Sequence, residues 1–213
     1  MDLIDAIRTA STCRFFKADA VPDAALARVL DAARFAPTGG NRQPLRLSAV
    51  RDAATRKRLA ELYLPHWETY FAQVTSGRVR VGALPKIIAN ADHFARHLAE
   101  VPVLIVACAR LADVHPTDAA LGRLSIVGGA SVYPAVQNLL LAARAEGLGT
   151  ALTTLLCAVE PQVKALLAIP EDISTAATIA LGWPAKPFPA RLNRHPLAEI
   201  AFLDRYGAAL PGA

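Results

Sequence analysis

The 213-residue sequence predicts a single α+β domain, and three observations carry that expectation. The run VPVLIVACA at 101–109 is short, β-branched and unbroken, as a strand buried on both faces would be. The stretch VPDAALARVLDAARFAP at 21–37 repeats Leu26, Val29, Leu30 and Ala33 at helical spacing. No internal repeat or low-complexity linker divides the chain, and 54% apolar residues against 19% charged suffice for a substantial core.

The elements follow in order. Residues 2–9 read as a short helix. The 21–37 helix has Pro22 at an early helical position, Asp23 at its positive end and Pro37 as its stop. LRLSAVRD (45–52) alternates in part and reads as a strand, with a charged helix near 53–62 after it. Residues 63–85 are poorly patterned. Trp67, Tyr70 and Phe71 anchor them, reading as core or lid contacts more than as a substrate cage. A helix over 86–99 leads into the 101–109 strand. In GGASVYPAVQNLLLAARAEGLG (128–149), residues 135–145 are apolar nearly all round, which predicts burial in the domain or at a subunit interface, and Gly147 ends the helix. TALTTLL (150–156) reads as strand or loop, EPQVKALLAI (160–169) as a helix and STAATIALGWP (174–184) as the last strand. The proline-bearing tail, 185–213, is expected to wrap over something, a neighbouring subunit being one option.

Composition narrows the function. The best apolar run has about nine residues, half of what a membrane-spanning helix needs, and Arg110 closes it. MDLIDAIRTAS lacks the layout of a signal peptide, so the mature chain is expected to begin there. Three scattered cysteines (13, 108, 157) build no disulfide framework and suit a reducing cytoplasm. A net charge of +5 and a pI near 9.4 raise nucleic acid as a partner. The basic clusters RDAATRKR (51–58), GRVRVG (77–82) and AKPFPARLNRH (185–195) are short, however, and the first reads as a solvated helix face. No zinc-finger, aromatic-stacking or helix-turn-helix pattern accompanies them, and small anionic ligands fit the charge better.

Familiar catalytic motifs are absent: no P-loop, Cys-x-x-Cys, His-Glu-x-x-His or Gly-x-Ser-x-Gly. GLGTAL (147–152) ends a helix instead of following a strand, so it is no dinucleotide fingerprint. His93 and His97 stand four apart without a third ligand, and no metal site is expected.

Four separated segments stand out instead: ASTCRFFKADAVP (10–22), FAPTGGNRQPLR (35–46), SVYPAVQN (131–138) and the tail with Lys186, Arg191 and Arg194. Together they offer arginines for a phosphate, amides for a heterocycle and apolar walls, the equipment of a flavin mononucleotide (FMN) site. Gly39 and Gly40 allow close backbone approach to a flat ring, and Asn41 and Gln43 carry both donors and acceptors.

At these residues the chain resembles the nitroreductase family of FMN-dependent oxidoreductases, from about residue 5 to residue 206. The segments RTASTCRFFKADAVPDAALARVLDAARFAPTGGNRQP, EVPVLIVACA, YPAVQNLLLAARAEGLGTALTTL, ALGWP and NRHPLAEI come in the family's order. The resemblance implies an α+β sheet flanked by helices, built as an intertwined homodimer with FMN at the subunit interface. It places Thr12 and Arg14 at the FMN phosphate and ribityl chain. Pro37, Thr38, Gly39 and Asn41, with Gln43 close behind, match a loop that reaches the flavin from the other subunit. Thr153, Thr154 and Leu155 fall where a backbone amide meets flavin N5. Arg191 or Arg194, the latter aligning better, matches a basic position at the phosphate. Gln137 reads equally as a flavin contact or a satisfied interface polar group, and Asn138 with it.

The implied activity is two-electron transfer from NAD(P)H through flavin N5 to a small electron-poor acceptor, a nitroaromatic, quinone or enone. The hydride is carried by the flavin, so no protein nucleophile is required. The same fold hosts reductive dehalogenation, ring oxidation and flavin breakdown to a cobalamin ligand. A non-catalytic flavin- or anion-binding protein is the reading from a different class. Three departures bear on substrate more than cofactor. Ala10 stands where many relatives carry Arg, with Ser11 beside it and Arg8 as a substitute contact. Leu45 replaces a common tryptophan, and residues 63–100, where relatives vary their lids, do not align.

Overall fold

Among the described residues four strands form one antiparallel sheet, in the spatial order β1 (Leu45–Val50), β2 (Val103–Arg110), β4 (Ile173–Gly182), β3 (Gly149–Thr153). The structure is a computed structural model and describes residues 1–78 and 85–212. Strand β2 is central and has no polar face to spare. Val103, Ile105 and Ala107 enter one core, while Leu104, Val106 and Cys108 enter the other. That two-sided burial explains why the 101–109 run is continuously apolar instead of alternating.

Helices α2 (Asp23–Ala33) and α5 (Tyr133–Ala145) cover the first face, joined by Arg28, which forks onto Glu146 at 2.8 and 2.7 Å. Helices α3 (Ala53–Thr75), α4 (Pro85–Arg96) and α6 (Glu160–Leu167) cover the second. The short α1 (Leu3–Thr9), capped by Asp2 on the Ile4 amide at 2.7 Å, lies against α5. Burying side chains such as Leu59, Leu98 and Leu139 stabilises by roughly 1.5–3 kcal/mol each.

Several boundaries differ from the sequence expectation. Pro22 is the N-cap of α2, with an extended backbone, instead of an early helical residue. The helix ends at Ala33, well short of Pro37. Helix α3 does not stop near 62. It runs through Pro65 to Thr75, because Leu59, Tyr63 and Trp67 form one buried stripe at four-residue spacing. That stripe offsets the hydrogen bond lost at the proline. Helix α5 buries Ala135, Val136, Leu139 and Ala143 but leaves Gln137 and Ala145 exposed, so within one chain it is not buried all round. Part of the 63–100 segment and of the GRVRVG cluster, residues 79–84, lies outside the described residues. The 51–58 cluster is only partly a solvated face: Arg51 binds Asp23 and the Val21 carbonyl, and Arg56 donates to the carbonyls of Ala99 and Val101.

The tail divides at Leu192. Up to there it is held by its own chain: Phe188 lies under Arg144 at 3.9 Å and Leu192 donates to the Arg8 carbonyl at 2.8 Å. Beyond it Ile200 and Tyr206 are 67% and 93% exposed.

Candidate functional site

The segment after α1 is laid across the end of the sheet by backbone hydrogen bonds. Cys13 N donates to Thr150 O at 2.7 Å, Lys17 N to Trp183 O at 2.8 Å, and Ala185 N to Phe15 O at 2.9 Å. Two glycines permit this close approach. A Cβ on Gly149 would lie 2.7 Å from Cys13 Cβ and Sγ, and one on Gly182 would lie 3.1 Å from the Phe16 ring.

This route brings Thr12 and Arg14 into one cavity of about 360 Å³ with Thr153, Thr154 and Leu155, at the far end of β3. Tyr63, Trp67 and Tyr70 of α3 and Phe94 of α4 form its aromatic wall. Thr153 Oγ1 donates to Tyr63 Oη at 3.4 Å and accepts from the Leu155 amide at 3.4 Å, so the wall braces the turn that ends β3. Burial pushes the Tyr63 hydroxyl above its ordinary pKa, against opposing contributions from Thr153 and Arg14. It therefore enters the cavity as a neutral donor or acceptor.

Arg14 is the charged feature of the site. It is half-buried, burial lowers its pKa, and among the described residues it has no carboxylate partner and makes no hydrogen bond. A guanidinium held this way is organised for an anion from outside the chain. Arg14 also lines a second cavity of about 150 Å³, with Ser11, Thr12, Asn90 and Lys186.

The other residues singled out from the sequence lie elsewhere. Pro37, Thr38, Gly39, Asn41 and Gln43 form an exposed or half-exposed loop that does not line the Arg14 cavities. The Gly39 amide donates to Ser131 Oγ at 3.1 Å and the Gln43 amide to Thr38 Oγ1 at 3.2 Å. Gly40, Asn41 and Gln43 have φ of 60°, 53° and 51°. Two non-glycine residues in the left-handed region mark a loop held in an uncommon shape. Gln137 is exposed on α5, while Asn138 is half-buried and donates to the Ala32 carbonyl at 3.4 Å. Arg191 and Arg194 share a separate depression with Arg8. His93 and His97 stack at 4.1 Å, with His97 Nδ1 on the His93 carbonyl at 2.7 Å.

Sequence reasoning passed over Tyr63 and Asn90 as site residues, and named Lys186 only within the basic tail, giving the phosphate contact to Arg191 or Arg194. The signal for Tyr63 was its place in the 59–63–67 stripe. For Asn90 and Lys186 no local pattern exists, because only the fold brings α4 and the tail beside residue 14.

The chain matches the model of the "Nitroreductase family" over residues 7–183. It is 30% identical to an NADH dehydrogenase of Thermus thermophilus, over 88% of this chain and 88% of that one. It is also 30% identical to a 5,6-dimethylbenzimidazole synthase of Rhodospirillum rubrum, over 88% of this chain and 81% of the other. Among solved structures it is similar to oxidized iodotyrosine deiodinase bound to FMN and 3-iodo-L-tyrosine. There the TM-score is 0.73 at 23% identity, covering 97% of this chain and 100% of that one, a likeness of fold.

Proposed function

Because the chain belongs to the nitroreductase family, we propose that it is an FMN-dependent oxidoreductase that takes two electrons from NAD(P)H and delivers them to an electron-poor acceptor such as a nitroaromatic, quinone or enone. The observation that carries this reading is the single cavity shared by Thr12, Arg14 and the 153–155 turn. Its lining offers a guanidinium without a carboxylate partner among the described residues, the hydroxyls of Thr12, Thr153 and Thr154, and an aromatic wall. A group with a phosphate at one end and a flat polar ring at the other matches that donor set, so the residues fit FMN.

Bound FMN supplies the redox chemistry, accepting and returning hydride at N5. The chain's own part is binding and orientation. Arg14 and Thr12 hold the phosphate and ribityl end, while Arg8, Arg191 and Arg194 add positive potential nearby. The turn at Thr153, Thr154 and Leu155 would hold the polar edge of the ring through its backbone. Tyr63, Trp67 and Tyr70 keep water from the wall of the cavity, as part of a lid-like 63–100 segment.

The reading includes a homodimer. The apolar side chains of Leu124 and Ile126, 92% and 80% exposed, and the tail beyond Leu192 support it. In that dimer the loop with Pro37, Thr38, Gly39, Asn41 and Gln43, together with Gln137, would meet the partner's flavin. The chain acts as one domain in the cytoplasm, where Cys13, Cys108 and Cys157 stay reduced. Among the described residues no helix is long and apolar enough to cross a membrane.

The test is the visible absorbance of the purified protein incubated with FMN, before and after anaerobic addition of NADPH. Bound flavin that bleaches supports the reading, and protein that stays colourless overturns it. The 30% identity to a 5,6-dimethylbenzimidazole synthase favours a second reading, breakdown of the flavin itself. It predicts that reduced holoprotein exposed to air releases that benzimidazole, detectable by chromatography.

A further inference from the structure

Four side chains from three parts of the chain form one stack beside the Arg14 cavities. Lys186 Nζ, from the tail, lies 3.3 Å from the centre of the Phe15 ring. Phe15 stacks on His93 of α4 at 4.5 Å and 23°, and His93 stacks on His97 at 4.1 Å and 25°. The 2.7 Å hydrogen bond of His97 Nδ1 to the His93 carbonyl fixes the last ring. Phe15 follows Arg14 in the chain. On α4, Asn90 lines the smaller Arg14 cavity and Ala91 the larger, just before His93. The stack therefore sets how closely α4 closes on the segment that carries Arg14.

A titratable ring in this position responds to acid. Partial burial foremost, then His97 and Lys186, hold the His93 imidazole below its ordinary 6.5, against Glu100 and Asp92. Among the described residues neither carboxylate pairs with it. Glu100 is exposed, and Asp92 is taken by Trp67 and Arg96. Arg14, on the segment that carries Phe15, adds one more cation to that side. A ring freed into water takes up its proton near the ordinary value, and the stacked ring only at lower pH. The stacked arrangement is thus fully favoured above about pH 6.5 and loses ground below it, because the released one binds more protons. Phe94 and Ala95 stay in the core on the other side of α4, so the change is local.

We propose that the Lys186–Phe15–His93–His97 stack is an acid-sensitive clamp. While His93 is neutral it holds α4 against the segment that carries Thr12 and Arg14, and protonation of His93 releases the Asn90–Ala91 wall of the two cavities. The clamp rests on the stack and not on the flavin reading.

The test is amide hydrogen exchange of the apoprotein, read by mass spectrometry at about pH 7.5 and about pH 5.5 and corrected for the intrinsic pH dependence of exchange. Peptides covering α4 should lose protection by about fivefold at the lower pH, while those covering β2 should not. An α4 protection that is the same at both pH values, or that falls no more than that of β2, overturns the proposal without any variant. His93→Phe keeps a ring in the stack and removes the proton, and its α4 protection should be indifferent to pH. Phe15→Leu removes the link to the tail, and its α4 peptides should exchange faster already at the higher pH. A fall in His93→Phe as large as in the unaltered protein assigns the response to another group and overturns the clamp. The wall is checked with riboflavin, which carries no titrating phosphate. Its affinity should drop at the lower pH in the unaltered protein and not in His93→Phe, and equal drops overturn the release of the wall. A protein that binds no flavin removes the flavin reading, and the exchange measurement still decides the clamp.

Discussion

Trp67 Nε1 donates a 2.9 Å hydrogen bond to the carboxylate of Asp92, joining α3 to α4 across the aromatic side of the larger cavity. Arg96 extends the link, reaching Asp92 at 3.0 Å and Glu68 at 3.3 Å. Replacing Trp67 by Phe keeps most of the buried ring and removes the bond. Because Asp92 retains Arg96, the expected loss is near the lower end of the range for bonds to charged groups, about 1.5 kcal/mol. Urea denaturation should show a lower midpoint with an unchanged slope. A midpoint equal to that of the unaltered protein would mean that the bond contributes nothing to stability.

Gly149 is held to glycine by Cys13. Adding a methyl group 2.7 Å from Cys13 Cβ and Sγ must displace the 12–16 segment or β3. Gly149→Ala is expected to cost about 1–3 kcal/mol, as other overpacked cores do. It should also weaken flavin binding, since the displaced segment carries Thr12 and Arg14. Trimming the neighbour tests the cause. In the double variant with Cys13→Ala much of the loss should return, giving a coupling energy of about 0.5 kcal/mol or more. Strictly additive losses would show that the clash is not the reason.

These two contacts indicate which parts of the protein its sequence made legible. The strands β1, β2 and β4 and the helices α2 and α6 were readable because their patterns are local. Helix α3 was cut short in the reading, since Pro65 obscures a stripe that is plain only when Leu59, Tyr63 and Trp67 are seen on one core. The grouping of Arg14 with Thr153 was reachable only through resemblance. No spacing rule relates residues on opposite ends of the chain, and the hydrogen bond from Cys13 to Thr150 that joins them is between backbones. The loop at residues 37–43 was identified by its glycines. Its left-handed Asn41 and Gln43 were not, because such backbone angles depend on contacts with Ser131 and Thr38.

Asp118 should give the 118–127 loop a dependence on acid. Its carboxylate accepts from Ser125 Oγ at 2.6 Å and the Ile126 amide at 2.9 Å and pairs with Arg123 at 2.8 Å. The Ser125 hydroxyl foremost, then the Ile126 amide, hold it at about 2 against an ordinary 3.8. A depressed carboxylate stabilises the fold above its unfolded pKa and loses that contribution as pH falls through the folded value. The thermal midpoints of the unaltered protein and Asp118→Ala should therefore differ above pH 4 and converge between about pH 4 and pH 2. Limited proteolysis at neutral pH should cut Asp118→Ala near Leu121 and Leu124, side chains that already face solvent. A gap in midpoint that persists to pH 2 would assign the loop's order to something other than this carboxylate.

Arg14 separates a binding role from a structural one. A structural arginine is paired, and removing it costs stability. Arg14 has no carboxylate partner among the described residues, and burial disfavours its charge, so the apoprotein gains little from keeping it. Arg14→Met preserves an unbranched stem in the cavity shared with Tyr63 and Trp67 and removes the guanidinium. The apoprotein is expected to unfold at the same or a slightly higher denaturant concentration, within about 0.5 kcal/mol or better, as at sites where function is held against stability. FMN affinity should fall by about tenfold or more, with riboflavin affected much less. Arg14→Lys, which restores charge without the planar fork, should recover part of the FMN affinity. The two measurements pull in opposite directions only if the guanidinium serves a ligand. Should Arg14→Met instead destabilise the apoprotein by several kcal/mol while leaving the preference for FMN intact, the residue is a structural prop and the phosphate lies elsewhere.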